Sequence, residues 1–166
     1  MSKSLLIIAV GNPSRGDDAL GPLFLERLAE GRELLHNQDE IELLTDFQLQ
    51  IEHAVDLEDR ALALFVVASV ACHSPFQFTR LQPVVDAGYT SHALSPAAVL
   101  CVYGQINPDP PPPAFQLAIR GECFELGESL SAAAEVNLAS ALKFAGQLLK
   151  QPVVETWDRL VQTDGR

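Results

Sequence analysis

Two adjacent carboxylates, Asp17 and Asp18, close the loop Gly11-Asn12-Pro13-Ser14-Arg15-Gly16 and lead into Ala19-Leu20-Gly21. The apolar run Leu5–Val10 before the loop reads as a buried strand, and the amphipathic run after it reads as a helix. In an open α/β sheet, the place where a strand ends and a helix begins is where ligands bind. Carboxylates at a helix start also complement the positive end of its dipole, worth ~0.3–1 kcal/mol each. That structural role is the expectation for Asp17; for Asp18 both roles stay open.

The loop is not a phosphate cradle. Pro13 stands where a dinucleotide fingerprint needs its second glycine, and Gly16 is followed by Asp17-Asp18, not by the Lys-Ser/Thr of a P-loop. No Gly-x-Ser-x-Gly nucleophile elbow is present. Of the four histidines, His36 and His53 are expected at the surface, and His73 follows a strand in Cys72-His73-Ser74-Pro75. His92 lies in Tyr89-Thr90-Ser91-His92-Ala93-Leu94, just before a helix start. A loop histidine can be structural, but imidazole plus carboxylate suits zinc, nickel and similar ions, so His92 with Asp18 is a candidate divalent-metal pair.

The elements that must position these groups are legible in outline. A helix is expected from near Asp18 to Glu30, with Pro22 tolerated in its first turn. Glu40–Thr45 reads as a second strand, followed by a helix from Phe47 to Leu57 capped by Asp46. Ala61–Ala68 is unbroken apolar sequence, as in a central strand covered on both faces. Gln77–Val85 alternates in part and reads as an antiparallel, more exposed strand. Ser95-Pro96 opens a helix to about Gln105, and the five prolines in Asn107–Pro113 make a surface loop. Phe115–Arg120 is a further strand. Ser131–Lys150 is the clearest helix, with Leu138, Leu142, Ala145 and Leu149 on one stripe. The tail after Pro152 carries no decisive signal. This order predicts an α/β single domain over residues 1–166, core about 5–150: a mostly parallel mixed five-stranded sheet with helices on both faces.

Composition narrows the partners. The 166 residues, 48% apolar and 20% charged, suit an ordinary globular domain. A net charge of −11 repels phosphate backbones, so no nucleic acid and no anionic membrane is expected as a partner. No apolar run is long enough to span a bilayer, and the start of the chain lacks a signal-peptide pattern. Cys72, Cys101 and Cys123 form no metal or disulfide spacing and read as small buried apolar side chains of a reduced, cytoplasmic protein, expected to be a monomer.

Gly11-Asn12 with Gly16-Asp17-Asp18-Ala19-Leu20-Gly21 resembles the N-terminal signature of the hydrogenase maturation endopeptidases. Ser91-His92-Ala93-Leu94, followed by Val99-Leu100, resembles that family's histidine motif. Thr45-Asp46-Phe47-Gln48-Leu49-Gln50-Ile51-Glu52-His53 is similar to the branch acting on soluble, NAD-reducing nickel-iron hydrogenases. The resemblance covers roughly Leu5 to Lys150. It implies an endopeptidase that removes the C-terminal extension of a nickel-loaded hydrogenase large-subunit precursor. It further implies that two acids and one histidine recognise the precursor's nickel, or a surrogate such as zinc or cadmium. Asp18 matches one acid and His92 the histidine.

The second acid is missing. In Leu64-Phe65-Val66-Val67-Ala68-Ser69-Val70, Val67 falls where the family has Asp, and a shift by two would put Ser69 there. Valine cannot ligate a metal ion. Asp46, at the end of the second strand, is a candidate to compensate from the same edge, with its helix-capping role as the alternative. With Asp18 and His92 anchoring the nickel, the tail's scissile peptide is held in the cleft, and water is the expected nucleophile. Metal polarisation of the carbonyl and a carboxylate general base both remain open, Asp17 being the spare carboxylate for the latter. Two alternatives compete: a non-cleaving metal-sensing binding protein or chaperone for the large subunit, which the missing acid favours, and an unrelated small-molecule enzyme of similar architecture.

Overall fold

Apolar strands dictate the centre of the fold. In the computed structural model, which describes residues 4–31, 40–84 and 94–162, strands β1 (Leu5–Val10), β2 (Ile41–Asp46), β3 (Leu62–Ser69), β4 (Phe76–Arg80) and β5 (Ala114–Arg120) form one sheet. Its order is β2-β1-β3-β5-β4, with only β4 antiparallel. The helices are α1 (Leu20–Glu30), α2 (His53–Asp56), α3 (Pro96–Ile106), α4 (Ala132–Lys150) and α5 (Val154–Leu160). The mixed five-stranded sheet is therefore as expected.

The period-two alternation of the strands splits the core into two layers. Leu5, Ile7 and Ala9 pack with Phe24 of α1, Leu138 of α4 and Trp157 of α5. Leu6 and Ile8 face the other way, onto Ala54 of α2 and Val99, Val102 and Tyr103 of α3. Strand β1 is thus buried on both faces, which explains its unbroken apolar sequence.

Strands β1 and β3 are neighbours, but the chain leaves β1 toward β2 on one side and leaves β3 toward β4 on the other. Such a reversal opens a crevice at the carboxyl ends of the two strands. The glycine loop follows β1 into that crevice, and Val67 lies near the end of β3.

Three expectations need correction. The segment after Asp46 is not an eleven-residue helix. Only His53–Asp56 is α-helical, and Asp46 ends β2 without capping any helix. The antiparallel strand is Phe76–Arg80, not Gln77–Val85; Leu81–Val84 leaves the strand, and Asp86 onward to Ala93 lies outside the described residues, as does Val85. The stripe of α4 is wider than expected: Leu138, Ala145 and Leu149 are buried and half-buried Leu142 packs against the same core, but Ala134, Ala141 and Leu148 join them.

The tail is ordered by one side chain. Trp157 is fully buried, edge-on to Phe78 and Phe115, and its Nε1–H donates to the Leu148 carbonyl at 3.0 Å. Beyond α5, Gln162 exchanges two hydrogen bonds with Phe78: its N–H donates to the Phe78 carbonyl and its Oε1 accepts the Phe78 N–H. The tail therefore covers part of the exposed edge of β4.

Candidate functional site

The loop leaving β1 is shaped by Gly11, whose φ is +151°. A Cβ there would overlap the carbonyl oxygen of Asp18, so only glycine lets the loop return this closely. Asn12 then makes a side-chain turn: its Oδ1 accepts the Ser14 N–H at 2.9 Å and its carbonyl accepts the Arg15 N–H at 3.1 Å. This turn aims the Asn12 N–H at Asp18, whose Oδ2 accepts it at 2.8 Å. Asp18 is half-buried, and among the described residues its Oδ1 accepts no hydrogen bond. One carboxylate oxygen is therefore held by the backbone and the other is not.

Asp17 takes a structural role, as expected, but at a different helix start. It lies beside Asp18 in a single 3₁₀ turn, Gly16–Ala19, that precedes α1. It is fully buried. Its Oδ1 accepts the Ser131 N–H at 2.7 Å. Its Oδ2 accepts the Glu122 N–H at 2.7 Å, the Cys123 N–H at 3.1 Å and the Ser131 hydroxyl at 2.7 Å. Burial pushes the carboxyl pKa up. The hydrogen bonds from Ser131, Glu122 and Cys123 together outweigh burial and hold it below its ordinary value. Both oxygens of Asp17 are thus occupied by donors of the protein itself, the environment of a structural carboxylate. The helix start it serves is that of α4, where Ser131 is the N-cap, not that of α1.

Asp46 ends the neighbouring strand in register with Val10, and its carbonyl accepts the Gly11 N–H at 3.1 Å. Its Oδ1 accepts the N–H of Phe47 at 2.7 Å, and its Oδ2 lies 3.4 Å from His53 Nε2. His53 was expected at the surface but is only 8% exposed, with Nδ1 accepting the Gln50 N–H at 2.8 Å. The short turn of α2 folds it inward.

Val67 pairs with Ala118 and is half-buried near the carboxyl end of β3. Strand alternation puts it on the Phe65 side of the sheet, the face that also carries Ile8, Val10, Leu44 and Asp46. The sheet thus brings Asp46 and Val67 to one face and one end, flanking the loop that carries Asp18.

His92 and His36 lie outside the described residues. Leu94, two positions after His92, is described: its N–H donates to the Leu49 carbonyl at 3.4 Å, and Ser95 caps α3 by accepting the Ala98 N–H. The start of α3 is therefore tied to the segment that follows Asp46. Among the described residues no three His, Cys, Asp or Glu side chains are grouped to hold a metal ion.

His73 is exposed and lines an open depression of about 440 Å³ with Phe76, Gln77 and Gln162, at the β4 edge. The cysteines are free. Cys72 is buried as expected, with its thiol pKa pushed up by burial, but Cys101 is half-buried and Cys123 exposed. Among the described residues no helix is long and apolar enough to cross a membrane.

Ser131 and the Gly121–Leu130 loop support the site, and His53 supports Asp46, without any local signal in the sequence. The donors to Asp17 lie over a hundred positions away in sequence, so no local spacing announces them.

No protein-family model matches the sequence, and no curated protein matches it. The fold does match solved structures. The endopeptidase HybD from Escherichia coli, a hydrogenase-maturating enzyme, superposes with a TM-score of 0.67 at 21% identity, over 90% of this chain and 93% of that one. A [NiFe] hydrogenase maturation protease, HycI from Thermococcus kodakarensis KOD1, gives 0.64 at 21% identity, over 90% and 94%. A hydrogenase 2 maturation peptidase from Thaumarchaeota archaeon SCGC_AB-539-E09 gives 0.63 at 19% identity, over 89% and 98%. The chain has the fold of the hydrogenase maturation proteases, shared over nearly the full length of both partners in each comparison.

Proposed function

We propose that this chain is an endopeptidase of hydrogenase maturation, which removes the C-terminal extension of a nickel-loaded large-subunit precursor. The observation that carries the reading is Asp18. It stands at the crevice between β1 and β3, with one oxygen fixed on the Asn12 N–H and the other free of partners among the described residues. The shared fold with several maturation proteases supports the same reading.

In this reading Asp18 and His92 grip the nickel of the precursor, with Asp46 as the further carboxylate on the face where Val67 offers none. The ion belongs to the substrate. Zinc or cadmium stands in for it in the free protein. Gripping it fixes the tail in the crevice, so the scissile peptide meets water in one geometry, and the saved positional entropy supplies rate. In this reading the precursor is of the soluble, NAD-reducing class, on the sequence resemblance of Thr45–His53 alone.

The test is cleavage of purified precursor, with and without nickel. Parent protein is expected to cut only the nickel-loaded form, and Asp18→Ala and His92→Ala are each expected to lose this activity. Cutting at the parental rate by both variants would overturn the site. Val67 favours one second reading, a protein that senses the loaded precursor without cutting it. In that case the parent would bind the nickel-loaded precursor and leave its tail intact.

A further inference from the structure

We propose that Asp17 is the positioning residue for Asp18: its buried carboxylate clamps the 3₁₀ turn onto the Gly121–Ser131 segment and so fixes where the Asp18 carboxylate points. The proposal rests on the reading of Asp18 as the nickel-gripping acid.

The two residues are consecutive in a turn with three residues per revolution, so their side chains diverge by roughly 120°. With Asp17 locked inward on Ser131, Glu122 and Cys123, Asp18 is left facing the β1 loop and Asn12. The backbone adds to the clamp. The Asp17 N–H donates to the Cys123 carbonyl at 2.7 Å, Gly16 N–H to Glu128 at 3.1 Å, and Gly127 N–H back to Ser14 at 2.8 Å.

Contact this close demands small residues on both sides. A Cβ on Gly16, whose φ is +53°, would overlap the Cys123 carbonyl, and one on Gly121 would come within 2.9 Å of the Asp17 Cβ. The rotation of the turn is therefore set by the loop before α4, and the loop is gripped through Asp17. Asparagine is nearly the same size, but in either flip its NH₂ meets a backbone donor, Ser131 N–H on one side or Glu122 and Cys123 N–H on the other, so Asp17→Asn puts donor against donor.

The experiment uses the full chain with Asp17→Asn. Amide exchange at Asn12 and Asp18 is expected to speed up by about tenfold or more beyond any change at Ile7 and Leu64, the sheet amides that report global opening. On nickel-loaded precursor, kcat is expected to fall by about 10²-fold with KM within about twofold. Trp157→Phe is the control: it loosens the tail far from the turn and is expected to lower stability with kcat unchanged. If Asp17→Asn fails to fold, Ser131→Ala, which removes one of the four bonds along with the α4 cap, decides through the Asn12 and Asp18 amides and not through stability. It is expected to shift the same two amides and kcat in the same direction, by less.

Unchanged exchange at Asn12 and Asp18 in a folded variant overturns the proposal. So does a variant that loses stability as Trp157→Phe does while keeping its kcat. If the parent protein itself leaves the precursor uncut, the functional reading falls, and the exchange measurement alone still decides whether Asp17 holds Asp18.

Discussion

The His53 ring lies between two backbone-anchored partners: Nδ1 accepts the Gln50 N–H at 2.8 Å, and Nε2 faces Asp46 Oδ2 at 3.4 Å. An Nδ1 that accepts must carry its ring proton on Nε2, which then points at the carboxylate. His53 thus closes the segment between β2 and α2 and steadies Asp46 at the sheet edge. His53→Ala removes the bond to the Gln50 N–H together with the packing of a buried ring. The expected loss is about 1–3 kcal/mol in urea unfolding. A change below about 0.5 kcal/mol, the range of neutral surface substitutions, would show the ring to be dispensable.

Gly11 tests how far the site depends on loop geometry alone. Gly11→Ala adds one methyl group where the Asp18 carbonyl already stands, in a backbone region that alanine rarely adopts. Strain of about 1–3 kcal/mol is expected, relieved by moving the 3₁₀ turn away from β1. Both unfolding free energy and precursor cleavage should drop together. Stability and cleavage at the parental level would mean that the close approach of Gly11 to Asp18 is not required.

The two cores and the site were not equally legible in the sequence. Leu5–Val10 and Ala61–Ala68 announce buried parallel strands because each is apolar on both faces. The Asp17–Asp18 pair could be placed at a strand end for the same reason. What the sequence hid was direction. Nothing local shows that Asp17 turns toward Ser131 while its neighbour turns toward Asn12. The helix expected after Asp46 shrank to His53–Asp56 because Gln48 and Gln50 lie in an exposed bend and His53 is drawn inward by a tertiary contact. Trp157 fixes the tail through ring packing on Phe78 and Phe115, strands that no spacing links to it.

Acid should loosen the clamp in a defined window. The folded pKa of Asp17 lies below its ordinary value of 3.8, because the bonds from Ser131, Glu122 and Cys123 outweigh burial. Such a group stabilises the fold fully above the unfolded value, and this contribution is lost as pH falls from there through the lower folded value. Urea unfolding between about pH 5 and pH 2 should therefore show a steep acid limb in the parent and a shallower one in Asp17→Asn. Parallel limbs would mean that Asp17 is not preferentially ionised in the fold.

Val67 offers a gain-of-function test. It is half-buried near the carboxyl end of β3, on the sheet face that carries Asp46, and its strand borders the crevice that receives the Asp18 loop. A carboxylate there would face the same end of the sheet as Asp18 and add a charged oxygen ligand of the kind divalent ions accept. Burying part of that charge costs stability, on the order of 1 kcal/mol without the ion. Bound zinc should return that cost, because a ligand that binds only the folded state stabilises it. Val67→Asp is therefore expected to be slightly less stable than the parent in metal-free buffer, to bind zinc or cadmium more tightly in calorimetric titration, and to cut nickel-loaded precursor faster. Identical titrations and identical cleavage rates would mean that the end of β3 takes no part in holding the ion.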